Sequence, residues 1–402
     1  MQRLVMASAL LLVLPFIAAA GTLPDTGQTK CYGDSNYYFE LNPCPQPGDY
    51  WFYGQDANYA PRNPHSYTDL GNGIVRDNVT GLEWQQDTHG TYTWQQAIDY
   101  CDNLMYAGYD DWRLPTIKEL STLVDSSIPI PGPTINTDYF LNTQPSFYWS
   151  STNNARTPNN ACCVNFKDGS VECSARTDFD FIVMAVRGEQ IGPFDDLFNL
   201  EDNDDGTVTD LETGLMWQQD TAPGTYTWGE ALPYCENLTL DGHDDWRLPN
   251  RNELQSIIDY SKFTPSIDAV FNAESTFYWT STTYTPYDNV LPYAWVVSFN
   301  DGLINCCGDK RSPLGYVRAV RSVQNGPLCP IELIYGEHSV RTKRLRHFRD
   351  TILSKTSEGQ EIIQLYYLWS LVIVKAMEAD EEFKAEVKGM IDSVLPMIGK
   401  DN

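Results

Sequence analysis

Positive charge is scarce in this sequence. Its 402 residues include 27 lysines and arginines against 54 aspartates and glutamates, which gives a formal net charge of −27. Nucleic acids are bound where positive charge is concentrated, so this composition excludes a nucleic-acid partner. The excess of carboxylates indicates an acidic, well-solvated surface instead.

Long apolar runs are missing from the body of the chain, and the clearest one stands at the N-terminus. Arg3 precedes the apolar residues 4–17, and Ala18-Ala19-Ala20 follows directly before Gly21. This order of a charged, an apolar and a small-residue region is typical of a secretory signal peptide. We therefore expect cleavage after Ala20 and export to the periplasm, the cell surface or the extracellular medium.

Paired Cys-x-x-Cys motifs are also absent, although the chain contains ten cysteines. Structural zinc sites commonly use such pairs, so a zinc knot is not expected. In an exported chain the cysteines are expected to form disulfides, because the compartments outside the cytosol are oxidising. We expect Cys31 and Cys44 to close a loop in the N-terminal part of the chain.

What the chain does contain is an internal duplication. Several segments return in a second copy with nearly the same spacing, which predicts two tandem domains rather than a solenoid. The paired segments are 81–88 and 214–221, 90–94 and 224–228, 110–115 and 244–249, and 147–152 and 277–282. Each copy closes on Val-Arg, at 186–187 and at 320–321.

The duplication divides the chain into five parts. They are the signal peptide at 1–20, an N-terminal extension at 21–65, a first module at 66–190, a second module at 200–324 and a C-terminal segment at 329–402. In the C-terminal segment, residues 362–377 are apolar but interrupted by Gln364 and Lys375, which makes them short for a membrane span. We expect a helical hairpin there, with interfacial membrane contact as the alternative.

The pattern inside each module predicts an α+β fold. Capping boxes, in which two side chains satisfy the free amides of a helix start, mark two helices in the first half of each module. They occur at Thr93 with Gln96, Thr116 with Glu119, Thr227 with Glu230, and Asn250 with Glu253. In the second half, Asp168-Gly169 and Asp301-Gly302 stand between apolar segments. This arrangement predicts a hairpin within a small antiparallel sheet.

The duplication also pairs the cysteines. Cys101 of the first copy matches Cys235 of the second, and Cys173 matches Cys306. A bridge that existed before the duplication would leave this pattern, so we predict one bridge between Cys101 and Cys173 and another between Cys235 and Cys306. The sequence assigns no partner to Cys162, Cys163, Cys307 and Cys329.

The repeated motifs resemble those of the Lcl C-terminal domain family. They are Gly-Leu-x-Trp-Gln at 81–85, Asp-Trp-Arg-Leu-Pro-Thr at 111–116, Tyr-Trp-Ser-Ser-Thr at 148–152 and the closing Val-Arg. The resemblance implies a C-type-lectin-like fold for both modules, and it implies binding, since the founding adhesin's domain binds sulfated glycosaminoglycans. The acidity of this chain argues against a sulfated polyanion as its own ligand.

Two further resemblances are narrower. The Trp-Arg-Leu-Pro core at 112–115 is similar to formylglycine-generating enzymes, which share the fold and use a pair of cysteines. The vicinal pairs Cys162-Cys163 and Cys306-Cys307 stand at non-equivalent places, so the similarity does not reach an active site. The C-terminal segment resembles the CFI-box C-terminal domain of exported bacterial proteins, with Cys329-Pro330-Ile331 in place of Cys-Phe-Ile.

No catalytic constellation recurs in the two copies. Histidine is shared at no equivalent position, because His89 faces an insertion and His243 corresponds to Tyr109. We therefore expect a protein that is not an enzyme. The recurring polar residues favour an ion-paired bracket between helix and sheet, with a ligand fork as the alternative. They are Asp110, Asp111, Arg113, Asp244, Asp245 and Arg247, and the accompanying Trp84, Trp112, Trp217 and Trp246 are expected in the core.

The candidate binding residues are aromatic rings in the loops of the second half of each module. Exposed Tyr and Trp rings stack on apolar sugar faces and also anchor protein partners. The candidates are Tyr148, Trp149, Tyr278, Trp279, Tyr284, Tyr287 and Tyr293. Glu201, Asn203 and Asp205 place oxygens at alternate positions before Gly206, as calcium loops do, although a polar turn before a strand is the preferred interpretation. Calcium is the only cofactor that the sequence suggests.

Together these features predict an exported, non-catalytic ligand-binding or adhesive protein. An extracellular carbohydrate is the first expected ligand. The alternative is a structural or protein-interaction module that recognises another protein of the cell envelope.

Overall fold

The structure is a computed structural model. It describes residues 23–33, 40–49, 52–59, 63–88, 90–188, 198–284, 293–312, 315–323, 330–335 and 380–395, with single positions between 339 and 377. The predicted signal peptide lies outside the described residues. Residues 21–324 form one compact unit, and the C-terminal segment belongs to another.

The unit of residues 21–324 combines short helices with antiparallel sheets, which confirms the predicted α+β class. A 3-10 helix covers Asp56–Asn58, and the α-helices are α1 (Trp94–Asp102), α2 (Ile117–Ser121), α3 (Trp228–Glu236) and α4 (Arg251–Ser256). The strands before the first module and within it are β1 (Cys31–Tyr32), β2 (Glu40–Leu41), β3 (Tyr67–Gly71), β4 (Ile74–Asp77), β5 (Glu83–Gln85), β6 (Thr91–Tyr92), β7 (Phe147–Asn153), β8 (Asn160–Asn165), β9 (Ser170–Ala175), β10 (Phe181–Ile182) and β11 (Val186–Arg187). The strands of the second module are β12 (Leu200–Asp202), β13 (Thr207–Asp210), β14 (Leu215–Gln218), β15 (Phe277–Thr283), β16 (Tyr293–Ser298), β17 (Ile304–Asp309) and β18 (Val320–Ser322).

The two modules repeat one topology. In the first module β11, β5, β4 and β3 form a four-stranded sheet, and in the second module β12, β13, β14 and β18 form its equivalent. The closing Val-Arg supplies the last strand in both, since Val186 pairs with Trp84 and Val320 pairs with Trp217. The strands β7, β8 and β9 of the first module correspond to β15, β16 and β17 of the second.

The local signals in the sequence lie where they were expected. All four predicted capping boxes are formed at the starts of α1 to α4. The two predicted hairpins join β8 to β9 and β16 to β17. Gly169 and Gly302 take φ values of +87° and +78° in their turns, a conformation that glycine adopts without steric cost.

The modules are not independent domains, because they share a sheet and a core. Val171 of β9 pairs with Ile304 of β17, which joins both hairpins into one eight-stranded sheet. These two residues are equivalent positions of the repeat, so an approximate twofold axis passes between them. Gln255 Nε2 donates to Ser121 Oγ at 3.1 Å, again between equivalent positions. One buried cluster includes apolar residues of both modules, which corrects the expectation of two separate cores.

The N-terminal extension packs on the second module. Gln28 Nε2 donates to Thr283 O at 2.7 Å, and Thr283 N donates back to Gln28 Oε1 at 2.8 Å. The ring of Phe52 stacks on Trp228 with 6.2 Å between centroids. The extension is therefore part of the compact unit rather than a linker in front of it.

The disulfides differ from the prediction in part. Cys31 is bonded to Cys44, as expected. Cys173 is bonded to Cys162, its direct neighbour across the β8–β9 hairpin, while Cys101 and Cys235 are buried free thiols. The predicted bridges of Cys101 with Cys173 and of Cys235 with Cys306 are therefore wrong, because the helix cysteines face their own apolar clusters. The two disulfides that are present suggest an oxidising extracellular or periplasmic environment.

Alkylation of the native and the unfolded protein tests this assignment. Burial raises the pKa of the Cys101 thiol to about 12 and that of Cys235 well above its usual value, so thiolate is rare at neutral pH. We expect iodoacetamide to label both cysteines only after unfolding. Digestion without reductant is expected to release a linked peptide pair that contains Cys162 and Cys173. A peptide linking Cys101 to Cys173 would contradict the structure.

The described part of the C-terminal segment contains two helices, α5 (Pro330–Tyr335) and α6 (Glu381–Val394). Tyr335 Oη donates to Asp392 Oδ1 at 2.8 Å, which connects them. Most of residues 362–377, on which the predicted hairpin rests, lies outside the described residues. Among the residues that are described, no helix has the length and apolar character that a membrane crossing requires.

Candidate functional site

The repeated arginine of each module forms a bidentate ion pair with a helix carboxylate. Arg113 donates to Glu119 at 2.7 and 2.6 Å, and Arg247 donates to Glu253 at 2.7 and 2.5 Å. Each glutamate also accepts from the backbone amide at its helix start, at 2.8 Å from Thr116 and 2.9 Å from Asn250. One carboxylate therefore holds both the helix and the segment that precedes it.

The repeated aspartate pairs with the closing arginine. Asp111 accepts from Arg187 Nε at 2.8 Å, and Asp245 accepts from Arg321 Nε at 2.6 Å. Asp111, Arg113, Asp245 and Arg247 thus form ion pairs as predicted, although not with one another. Asp110 and Asp244 are exposed and do not belong to these pairs. The four repeated tryptophans, Trp84, Trp112, Trp217 and Trp246, are at most 2% exposed. The motifs that recur in both modules serve packing, so features that the modules do not share are the better place to look for a binding site.

The predicted aromatic binding surface is wrong for most of its members. Tyr148, Trp149 and Tyr278 are 0% exposed and Trp279 is 2% exposed. They lie on the strands β7 and β15 rather than on loops, and consecutive side chains enter apolar clusters on the two opposite faces of the sheet. Tyr284 is also buried and Tyr293 is half-buried against the core, while Tyr287 lies outside the described residues.

The predicted calcium loop forms the turn between β12 and β13. Asn203 Nδ2 donates to Thr207 Oγ1 at 2.8 Å, and Asp205 Oδ1 accepts from the Thr207 hydroxyl at 2.6 Å. Glu201 lies within β12. In the part of the chain that the structure describes, no group of three His, Cys, Asp or Glu side chains is placed to hold a metal ion. These hydrogen bonds form the polar turn that the sequence also predicted.

A polar pocket lies where the N-terminal extension meets the second module. It has a volume of about 280 Å³. Its wall consists of Leu23, Pro24, Asp25, Asp56, Tyr59, Asn63, Glu212, Thr213, Leu215, Arg247, Asn250, Glu253 and Ser322. The Arg247–Glu253 pair thus lines a pocket together with the extension. Its counterpart, Arg113–Glu119, is not part of this pocket. We take this pocket as the candidate site.

Two aspartates of the extension give the pocket its acidity. Asp56 accepts hydrogen bonds from Thr26 Oγ1 at 2.6 Å and from Thr282 Oγ1 at 2.7 Å. Burial, followed by the charge of Asp25, raises the pKa of Asp56 to about 7 against the opposing effect of the two hydrogen bonds. Burial also raises the pKa of Asp25. Both carboxyls therefore keep a proton more readily than exposed aspartates do.

Arg247 and Tyr59 form the opposite side of the pocket. Burial lowers the pKa of Arg247, but the charge of Glu253 and its hydrogen bonds outweigh this and leave it above the usual value. The Arg247 guanidinium lies 5.4 Å from the Tyr59 ring centroid, within cation–π range. The Tyr59 hydroxyl donates to Glu236, and burial followed by this carboxylate raises the pKa of Tyr59. The wall thus offers donors, acceptors and one aromatic ring.

Sequence reasoning missed the contribution of the extension. Asp25, Asp56 and Tyr59 have no counterpart in the repeat, so comparing the two copies could not select them. The aromatic and acidic stretch at 49–53 was the available signal, because such a density of rings favours packing over a linker. The partner of each repeated arginine was also readable, since a glutamate follows it after six residues in both copies.

Two segments of the chain, residues 73–187 and 206–321, match the family model described as Lcl C-terminal domain. They coincide with the two modules and together cover more than half of the chain. No curated protein matches the sequence.

Proposed function

Because the chain belongs to the Lcl C-terminal domain family, we propose that it is an exported, non-catalytic ligand-binding protein with a carbohydrate as its ligand. The binding site in this proposal is the polar pocket between the N-terminal extension and the second module. The proposal includes a C-type-lectin-like fold for both modules and a place of action in the periplasm, at the cell surface or outside the cell. The two disulfides support export, because they require an oxidising compartment to persist.

The pocket is the observation that carries the proposal. Its volume of about 280 Å³ is close to the lower end of ligand pockets, which suits one ring of a sugar chain. Its wall includes the carboxyls of Asp25 and Asp56, the Asn63 amide, the Arg247 guanidinium and the Tyr59 ring. Sugar hydroxyls donate and accept hydrogen bonds at once, so a wall with both kinds of group matches them.

The charge of the pocket restricts the class of sugar that it can bind. The pocket holds more carboxylates than cations, and its one arginine is already paired with Glu253. A sulfated or phosphorylated sugar would meet like charge there. Neutral or amino sugars are therefore the expected ligands.

A glycan array probed with the mature chain tests this function. We expect neutral or amino glycans to bind, and we expect the Ser322→Phe variant to lose at least ten-fold in affinity, because its ring fills the pocket. Thr68→Phe, which adds the same ring on an exposed strand of the first module, serves as the matched control. An empty array would refute carbohydrate binding, and equal binding by Ser322→Phe would refute the pocket as its site.

A further inference from the structure

The two modules carry the same tryptophan–cation pair. The Arg176 guanidinium carbon lies 3.9 Å from the Trp94 ring centroid, and Lys310 Nζ lies 4.0 Å from the Trp228 ring centroid. The backbone agrees, since Trp94 N donates to Arg176 O at 3.2 Å and Trp228 N donates to Lys310 O at 3.0 Å. We call the surface around each pair the tryptophan face of its module.

The tryptophan face of the second module is covered by the chain itself. Phe52 of the extension stacks on Trp228, and Lys310 Nζ donates to Gly33 O at 3.1 Å and Tyr32 O at 3.4 Å. Trp228 is 0% exposed and Lys310 only 3% as a result. Two separate parts of the extension thus cover this face, with two backbone carbonyls from residues 32–33 and one aromatic ring from Phe52.

None of the residues that the structure describes covers the tryptophan face of the first module in this way. Trp94 and Arg176 are half-buried rather than buried. The neighbouring strand shows the same contrast, because Thr282 and Thr283 are 0% exposed whereas their counterparts, Thr152 and Asn153, are half-buried and exposed. The same arrangement of groups is therefore open to solvent in one module and filled by polypeptide in the other.

The first module also extends its face with a stack of phenylalanines. The ring centroids of Phe147 and Phe181 are 5.0 Å apart, and those of Phe179 and Phe181 are 5.7 Å apart, with nearly parallel planes. Phe179 ends the stack and is 50% exposed. In the second module Gly315 stands at the position of Phe181. The equivalence follows from the strand pairing, since Phe181 pairs with Tyr92 and Gly315 pairs with Tyr226. Exposed rings of this kind anchor protein partners.

We propose that the tryptophan face of the first module docks a polypeptide segment of a partner protein. The segment presents an aromatic side chain to Trp94 and the phenylalanine stack, and it presents backbone carbonyl oxygens to Arg176. The covered face of the second module supplies the model for this occupant. The inference does not rest on the pocket or on carbohydrate binding.

The extension of a second copy fits this face less well than a different partner. Residues 28, 32–33, 52 and 56 already contact the second module of their own molecule. The extension would have to leave this tethered contact before it could dock on the first module of another copy. Phe52 also packs beside Gly229, where a Cβ would make an ordinary contact at 3.7 Å from the ring and a longer side chain would reach the ring itself. Gln95 occupies that position in the first module. The geometry therefore favours a partner with its own sequence.

Selection of displayed random peptides on the full-length chain tests the proposal. We expect enriched peptides to share an aromatic residue. As synthetic peptides they are expected to bind at least ten-fold more weakly to Phe179→Ala and to Arg176→Glu, measured by fluorescence anisotropy. Phe263→Ala is the matched control, because Phe263 is 52% exposed and lies in the second module. Near-ultraviolet circular dichroism of each variant verifies that the fold is intact.

The other outcomes overturn the proposal. Failure to enrich any peptide, or equal binding of the peptides by Phe179→Ala and wild type, removes the docking site. A glycan signal that Phe179→Ala abolishes would show a carbohydrate as the occupant instead. A dimer in sedimentation equilibrium that Phe179→Ala dissociates would show a second copy as the occupant.

Discussion

Replacing Glu253 by alanine is expected to lower the free energy of unfolding by about 3–5 kcal/mol. The carboxylate neutralises Arg247 through two hydrogen bonds and accepts the amide of Asn250 at the start of α4. The substitution removes all three contacts and leaves the guanidinium, whose side chain is only 12% exposed, without this counter-ion. Urea unfolding followed by tryptophan fluorescence at pH 7 measures the change.

Two matched variants separate the causes of this loss. Glu119→Ala breaks the equivalent pair of the first module, but Arg113 is 26% exposed and water can solvate it, so we expect a smaller loss. Glu230→Ala removes only an exposed helix cap and is expected to cost about 0.5–2 kcal/mol. If Glu253→Ala lowered the free energy of unfolding no more than Glu230→Ala does, the ion pair with Arg247 would add no stability to that of the helix cap.

The elements that the sequence predicted well are those set by local chemistry. The capping boxes and the Asp-Gly turns act over a few residues, so α1 to α4 and both hairpins lie where their motifs stand. The repeat strengthened these predictions, since each motif occurs in both modules. The shared topology follows from it, because two sequences with one pattern of motifs adopt one fold.

The cysteine pairing failed because equivalence between copies does not identify neighbours in space. The better signal was the hairpin register, in which the Asn165–Ser170 pair places Cys162 opposite Cys173. In the second module Trp295 takes the position of Cys162, so the same bridge has no partner there. A cross-strand bridge in one copy was thus readable from the turn, whereas the helix cysteines were misleading.

The aromatic candidates are buried because other elements cover both faces of their sheet, and the sequence alone does not show this. Tyr148 and Trp149 are adjacent on β7, so they point to opposite faces of the sheet. Both faces are covered, with Tyr148 in the cluster that spans the modules and Trp149 in the cluster under α1. An alternating pattern would have indicated a solvated face, but two consecutive rings are equally compatible with a loop or a central strand.

The candidate site was beyond sequence reasoning for a related reason. The pocket exists because residues 23–25, 56, 59 and 63 of the extension contact a module that begins far along the chain. No local motif predicts such a contact, since loop closure over this distance depends on the folded shape of both partners. The extension therefore creates, in one copy only, a site that the repeat does not contain.

Replacing Asp56 by asparagine is expected to stabilise the protein at pH 8 by about 2–4 kcal/mol relative to wild type. Burial raises the pKa of Asp56 from 3.8 in an ordinary environment to about 7 in the folded protein. Between these values the folded chain keeps a proton that the unfolded chain releases, so the stability of the wild type falls as pH rises. Asparagine still accepts from Thr26 and Thr282 but carries no charge.

The difference between variant and wild type is therefore expected to depend on pH. At pH 4 the wild-type carboxyl is protonated in the folded state, so the two proteins are expected to differ by less than about 1 kcal/mol. Urea unfolding at pH 4, 6 and 8 measures the difference, and Asp110→Asn, at an exposed position outside the pocket, controls for the change in net charge. A difference that stays constant over this range would mean that Asp56 is ionised in the folded protein throughout. The extension would then be held to the second module by a charged contact rather than by a protonated one.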